Sequence, residues 1–71
     1  MKIQYASEAD VLHIIVRDEP PVDAIEESGG VIVSYGEDKE PVSIEFLNAS
    51  ARRLVHADEM TVTMEANRAV K

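Results

Sequence analysis

Carboxylates are the most abundant reactive groups in this 71-residue sequence, with 14 Asp plus Glu against 7 Lys plus Arg. The candidates for a general acid–base pair or a hard-cation site are Asp10, Glu26, Glu27, Asp38 and Glu45. Asp10 and Asp38 lie where turns favour Asp, and Glu45 lies on the predicted solvent face of a strand. The sequence also lacks an Asp-x-Asp-x-Asp-Gly calcium loop. We interpret these carboxylates as structural, and a small enzyme or metal-binding domain that uses Asp10, Asp38 or Glu45 is the alternative.

The other reactive side chains form no recognised catalytic or metal-binding pattern. The two histidines, His13 and His56, lack metal-ligand spacing. We interpret His13 as a packed or dimer-interface residue, and His56 as a cation at the C-terminus of a predicted helix. The sequence has no Cys and no Gly-x-Ser-x-Gly segment, and Gly29-Gly30 is too short to cradle a phosphate. We therefore predict a non-enzymatic protein without catalytic, cofactor-binding or metal-ligating residues.

Composition narrows the class of protein. Hydrophobic residues make up 45% and charged residues 30%, which is typical of one globular domain over residues 1–71. The net charge of −7 disfavours direct binding to nucleic acid. No apolar run approaches the ~20 residues of a membrane span, and Lys2 is not followed by a signal-peptide core. We expect a cytoplasmic protein that does not contact membranes.

The charge is distributed unevenly along the chain. Residues 1–50 contain three bases and eleven acids, a net charge of −8, whereas residues 51–71 have a net charge of +1. One interpretation is a solvated acidic surface on a β-rich domain. The other is that the acidic part attracts a basic protein partner and accelerates their encounter by long-range steering.

Alternation of apolar and polar residues predicts a β-rich fold, with turns at Ser7–Asp10, Pro20-Pro21, Gly29-Gly30 and Gly36–Glu40. The predicted strands are residues 2–5, 11–17, 22–27, 31–35, 42–46 and 60–65. A short helix is predicted from Asn48, as the N-cap, to about His56. The fold class is α+β, mostly β: a curved antiparallel sheet of five to six strands with one short helix. The predicted core is Ile3, Tyr5, Leu12, Ile14, Val16, Val31, Val33, Ile44, Phe46 and Leu54.

The second face of this sheet is also partly apolar. Its apolar side chains are Val11, Ile15, Ile32 and Leu47. One helix covers only part of that face, which leaves a patch of a few hundred Å² that predicts a twofold homodimer. The strand at Met60–Glu65 would add to the partner's sheet, and the alternative is a monomer in which this segment folds back.

Four segments occur in an order that resembles the family called domain of unknown function 2283 (DUF2283). The segments are MKIQY (1–5), SEADVLHI (7–14), GVIVSY (30–35) and VSIEFLNAS (42–50). The resemblance covers about residues 1–54 and leaves a C-terminal strand and tail at 55–71. Ala6 and Ser34 replace the family's usual Asp, and His13 replaces its usual Tyr.

The resemblance implies a small, mainly bacterial or archaeal, β-rich domain without an established activity. Some members resemble antitoxin partners of small ribonuclease-like toxins. In the family segments, Asp10 is expected to accept backbone N–H groups in the first turn, and the Ser50 hydroxyl to satisfy an orphan donor in a first helical turn. We predict an uncharacterised acidic protein-interaction module, antitoxin-like and homodimeric.

Overall fold

A computed structural model describes residues 1–67 and folds them into one antiparallel sheet. The strands are β1 (Lys2–Ala6), β2 (Val11–Ile15), β3 (Asp23–Glu27), β4 (Val31–Tyr35) and β5 (Pro41–Leu47). Their order across the sheet is β1-β2-β5-β4-β3, so the last strand along the chain is the central one. The first five predicted strands are confirmed, and their ends differ from the prediction by at most two residues.

Three turns and one crossover connect the strands. The turn between β3 and β4 uses Gly29 and Gly30 at φ 72° and 84°, backbone angles that L side chains rarely adopt. The crossover, residues 16–22, passes the beginning of β5, where the Val16 and Arg17 N–H groups donate to the Val42 carbonyl at 2.8 and 3.2 Å. It carries the chain from β2 to the far edge, and β5 later fills the space between β2 and β4.

The predicted helix is wrong, and the fold class is all-β and not α+β. Asn48 has φ 57° and Arg53 has φ 64°, so left-handed residues stand at both ends of the short segment between them. Such residues cannot continue a right-handed helix. The chain after β5 therefore forms turns at residues 48–53 and 57–58. Within residues 1–67, no helix is long and apolar enough to cross a bilayer.

The predicted sixth strand, at Met60–Glu65, is also wrong. Ala57 and Asp58, at φ 52° and 62°, form a tight turn in which the backbone groups of His56 and Glu59 pair with each other. Residues 61–67 then continue as an exposed segment that belongs to no strand. The apolar alternation there is real, but residues 61–67 pair with neither of the two edge strands, β1 and β3.

One face of the sheet has two parallel rows of apolar side chains, because residues paired directly across strands point to the same side. We call the first the covered row: Tyr5, Leu12, Phe46 and Val31. We call the second the aliphatic row: Ile3, Ile14, Ile44, Val33 and Ile25. Nine of the positions that the sequence predicted as core or strand-face residues thus lie on one side of the sheet.

The core lies over the covered row, because residues 49–60 fold onto it. Leu12, Ala49 and Val55 are only 1%, 0% and 6% exposed, and Leu54 and Met60 pack against them. This segment supplies the second layer that a single sheet requires to bury its apolar face. It occupies the position predicted for a helix, but it achieves the burial with turns.

The aliphatic row is not covered in the same way. Ile3 and Ile25 are 36% and 46% exposed, and the three members between them are half-buried. The predicted core list therefore identified the correct face and overestimated its burial. Val42, which was not on that list, is 1% exposed beneath the crossover.

The opposite face is partly apolar, as the sequence predicted, and it contains Val11, Ile15, Ile32 and Leu47. Its central row is Gln4, His13, Glu45, Ile32 and Glu26. This row separates Val11 and Leu47 on one side from Ile15 on the other. Val11, Ile15, Ile32 and Leu47, the apolar side chains predicted for this face, are all half-buried.

Candidate functional site

Six exposed carboxylates gather at the end of the sheet where β2 and β4 finish and β3 and β5 begin. We call this surface the acidic end: Asp18, Glu19, Asp23, Glu37, Asp38 and Glu40. The crossover contributes two of them, the first residue of β3 one, and the hairpin loop between β4 and β5 three. The basic side chains at this end are Arg17, Lys39 and Lys2, which begins β1 opposite Ile15, so the nine charged side chains have a net charge of −3.

Arg17 organises the acidic end. Its guanidinium donates two parallel hydrogen bonds to the Asp38 carboxylate, at 2.8 and 3.0 Å, and lies 3.4 Å from a Glu19 oxygen. The hydrogen bonds from Arg17 and from the Glu40 N–H lower the pKa of Asp38, and the bond to Asp38 raises the pKa of Arg17. The bidentate pair fixes the hairpin loop against the crossover.

The remaining four carboxylates of the acidic end face solvent. Within the described residues 1–67, Asp18, Asp23, Glu37 and Glu40 form no ion pair. A concentration of unpaired charge of one sign produces a potential that attracts ions and molecules of the opposite sign. This arrangement suits the binding of a cationic surface.

The side chains of Tyr5, Asp10 and Ser50 form a second polar constellation, which we call the Asp10 clasp. The Asp10 carboxylate accepts the Tyr5 hydroxyl at 2.7 Å, the Ser50 N–H at 3.0 Å and the Ser50 hydroxyl at 2.6 Å. The Asp10 carbonyl also accepts the Ala49 N–H at 3.0 Å. The clasp therefore joins the first turn to the segment that covers the core.

The clasp shifts the acidity of both its titrating groups. Hydrogen bonds from the Ser50 hydroxyl and then the Tyr5 hydroxyl lower the pKa of Asp10. The bond to Asp10 raises the pKa of Tyr5 to about 12. The prediction that the Asp10 carboxylate accepts N–H groups of the first turn is wrong, because the backbone N–H that it accepts belongs to Ser50, across the fold. The helical role predicted for Ser50 is wrong, because its hydroxyl donates to Asp10.

The two histidines occupy unrelated places. His13 lies on the polar face, and its Nε2 is 3.8 Å from a Glu45 oxygen, with both side chains partly exposed. His56 begins the tight turn that ends at Glu59. Its predicted role at a helix C-terminus is wrong, because the structure has no helix there.

The three carboxylates of the alternative enzyme or metal hypothesis do not converge. Asp10 precedes β2 and Asp38 lies beside the other end of that strand, so five strand residues, or about 17 Å, separate the two ends. Glu45 projects from the polar face between them. Among residues 1–67, no three His, Cys, Asp or Glu side chains are grouped to hold a metal ion.

Sequence reasoning found the acidic excess but not its location. The net charge of −8 over residues 1–50 is visible from composition alone. Its concentration at one end follows from the strand order, which brings the crossover next to the loop between β4 and β5. The spacing of Arg17 and Asp38 along the chain gives no local signal of their pairing.

Comparison with known proteins yields one match. Residues 2–50 match a family model described as "Protein of unknown function (DUF2283)". All three members of the Asp10 clasp lie within the matched part, whereas Val55 and Met60 lie beyond it. No curated protein and no solved structure matches the chain.

Proposed function

The chain belongs to the DUF2283 family of proteins of unknown function, and from that premise we propose that it is a non-enzymatic module that binds a basic protein. The observation that carries this proposal is the acidic end, where four exposed carboxylates have no ion-pair partner among residues 1–67. A cationic protein surface is the complementary partner. The Arg17–Asp38 pair supports the binding by fixing the loop that presents the charge.

An antitoxin-like role gives this partner a chemical identity. A small toxin that cleaves RNA must hold phosphates with Lys and Arg, so its active surface is cationic. An acidic module that covers those residues would block access of the RNA. We propose that this pairing takes place in the cytoplasm of a prokaryotic cell. The family resemblance suggests the cell type, and the composition suggests the compartment.

The test is co-expression of the chain with the products of its neighbouring genes, followed by affinity capture and calorimetry. We expect a stable basic partner whose binding weakens as salt rises from about 50 to about 300 mM, because salt screens exposed charges. The variant Glu37→Lys with Glu40→Lys should bind that partner at least about tenfold more weakly.

The matched control is Glu8→Lys with Glu65→Lys, which makes the same change in net charge at exposed positions outside the acidic end. It should retain most of the affinity. Recovery of no basic partner, with no rescue of growth from a neighbouring toxin, would contradict the proposal. Equal weakening by the two double variants would show that only net charge matters, and would also contradict the acidic end as the binding surface.

A further inference from the structure

We propose that the depression between β3 and the loop that joins β4 to β5 binds an arginine side chain of the basic partner. This inference rests on the proposed function and deepens it, because it assigns one anchoring contact within the acidic end. It also identifies the kind of side chain that the partner must present there.

The depression is built where β3 begins and β4 ends. Asp23 and Tyr35 are paired across these two strands, and the Val22 N–H donates to the Tyr35 carbonyl at 2.9 Å. Glu37 follows in the hairpin loop and lines the same depression. The volume is about 410 Å³. Backbone pairing therefore fixes the walls of a cavity that is open to solvent.

The lining of the depression combines an apolar surface with negative charge. Val22, Ile25 and Tyr35 form the apolar part. Val22 is 60% and Ile25 46% exposed, so this part is accessible in the folded chain. Asp23 and Glu37 add two carboxylates, and neither forms an ion pair among residues 1–67. The complementary ligand is a cation carried on an apolar stem.

Arginine matches both parts of this lining better than lysine does. Its methylene stem packs on aliphatic side chains, and its planar guanidinium stacks on an aromatic ring such as that of Tyr35. The same group donates forked hydrogen bonds to carboxylates. Lysine presents a compact and strongly hydrated charge that lacks this planar geometry. Arginine is also enriched among the interface residues that contribute most to binding, which fill pockets on the partner.

Lys39 is the basic side chain of the chain itself that lines the depression. Unlike Arg17, which holds Asp38 in a bidentate pair, Lys39 forms no ion pair within the described residues. Its positive charge beside the cavity opposes the entry of a second cation. Removal of the Lys39 charge should therefore favour the binding of arginine.

The first test uses the peptide acetyl-Gly-Arg-Gly-amide, titrated into the full chain and followed by NMR. We expect saturable chemical-shift changes at Val22, Ile25 and Tyr35. The same peptide with citrulline, the neutral isostere of arginine, should produce none of these changes. The peptide with lysine should bind at least about threefold more weakly than the arginine peptide.

Four variants at exposed positions then separate the depression from the general charge of the acidic end. Glu37→Gln should weaken binding of the arginine peptide about fivefold, whereas Glu40→Gln, in the same loop but outside the depression, should change it less than about twofold. Lys39→Met should tighten binding, and Lys2→Met, which removes the same charge elsewhere at this end, should not. Circular dichroism establishes that each variant is folded. In the complex with a captured basic partner, Glu37→Gln should again cost more affinity than Glu40→Gln.

Absence of shift changes at Val22, Ile25 and Tyr35 would overturn this proposal, as would equal weakening by Glu37→Gln and Glu40→Gln. Equal binding of the arginine and lysine peptides would overturn the assignment to arginine. Each of these results leaves the proposed function standing if a basic partner is captured. Conversely, failure to capture a basic partner would contradict the proposed function, and the peptide titration would still decide whether the depression binds arginine.

Discussion

The two rows on the core face differ in burial although they lie side by side and have similar composition. Leu12 in the covered row is 1% exposed, whereas Ile25 in the aliphatic row is 46% exposed. The difference comes from the second layer: residues 49–60 lie over one row and leave the other accessible. Burial in a single sheet is therefore determined by what packs on it, and not by the apolar character of the strand face alone.

The covering segment is held by polar contacts as well as by apolar ones. Ala49 donates to the Asp10 carbonyl and Ser50 donates twice to the Asp10 carboxylate, so the chain is attached to the first turn as it leaves β5. Val55 and Met60 then complete the apolar contact. We infer that most of the stability of the monomer resides in this half of the sheet.

The largest expected effect tests that inference directly. Leu12→Ala should reduce the free energy of unfolding by about 2–5 kcal/mol, because it removes a fully buried side chain and leaves a cavity. Under conditions where the chain is monomeric, Ile25→Ala should cost less than about 1 kcal/mol. Urea unfolding of both variants measures the difference. Equal losses would show that the two rows contribute equally, and the comparison would fail.

A second prediction concerns the turn at Gly29 and Gly30, which connects β3 to β4. Gly30→Ala should destabilise the monomer by about 1–2 kcal/mol, since the residue has φ 84° and its new Cβ would lie 3.3 Å from the Leu47 Cβ. Gly29→Ala is the control, because the nearest atom to its Cβ would be 3.7 Å away. Both variants strain the backbone, so a smaller loss of unfolding free energy for Gly29→Ala than for Gly30→Ala would measure the crowding against Leu47. A larger loss for Gly29→Ala would contradict this account.

The smallest expected effect is the contribution of the clasp to acid stability. The pKa of Asp10 is lowered in the folded chain, so its contribution is present above the unfolded value of about 3.9 and is lost as the pH falls through the folded pKa. Asp10→Asn should lower the urea midpoint at neutral pH and reduce the loss of stability on acidification. If the urea midpoints of the original chain and of Asp10→Asn change with pH in parallel, the Asp10 carboxylate does not contribute to the acid sensitivity of the fold, and this prediction is wrong.

The phenol of Tyr5 provides an independent measure of the same contact. Its pKa is raised to about 12, so in a Tyr35→Phe background the phenolate absorbance should appear near that pH. Adding Asp10→Asn should move the midpoint down toward the ordinary value of about 10. The sign agrees with linkage: a raised tyrosine pKa gives stability that is lost as the pH rises through the folded value.

Much of the fold could be predicted from the sequence, because strand alternation is a local signal. The pattern identified five strands and placed Leu12, Ile14 and Phe46 on one face. The predicted helix failed because the left-handed conformations of Asn48 and Arg53 arise from contacts with the rest of the fold, whereas helix propensity reflects only neighbouring residues. The sixth strand failed because alternation does not reveal whether a segment pairs with an available edge, here β1 or β3.

The candidate surfaces were less predictable than the strands. The acidic excess is a property of composition, but its location depends on a strand order that places residues distant in sequence at one end of the sheet. The open aliphatic row was missed for a related reason. Exposure of Ile25 depends on where the covering segment ends, and hydrophobicity at position 25 contains no information about that.

The central position of β5 also has a consequence for how the chain folds during its synthesis. The hairpins β1–β2 and β3–β4 pair locally and can form early, but until Pro41–Leu47 has been made, β2 and β4 each present an unpaired edge. The strand then has to pair with both, including the distant contact of Val11 with Leu47. Such long-range closure is the slow step in folding topologies of this kind. The interval before the last strand emerges is therefore when the nascent chain is most open to pairing with the wrong strand.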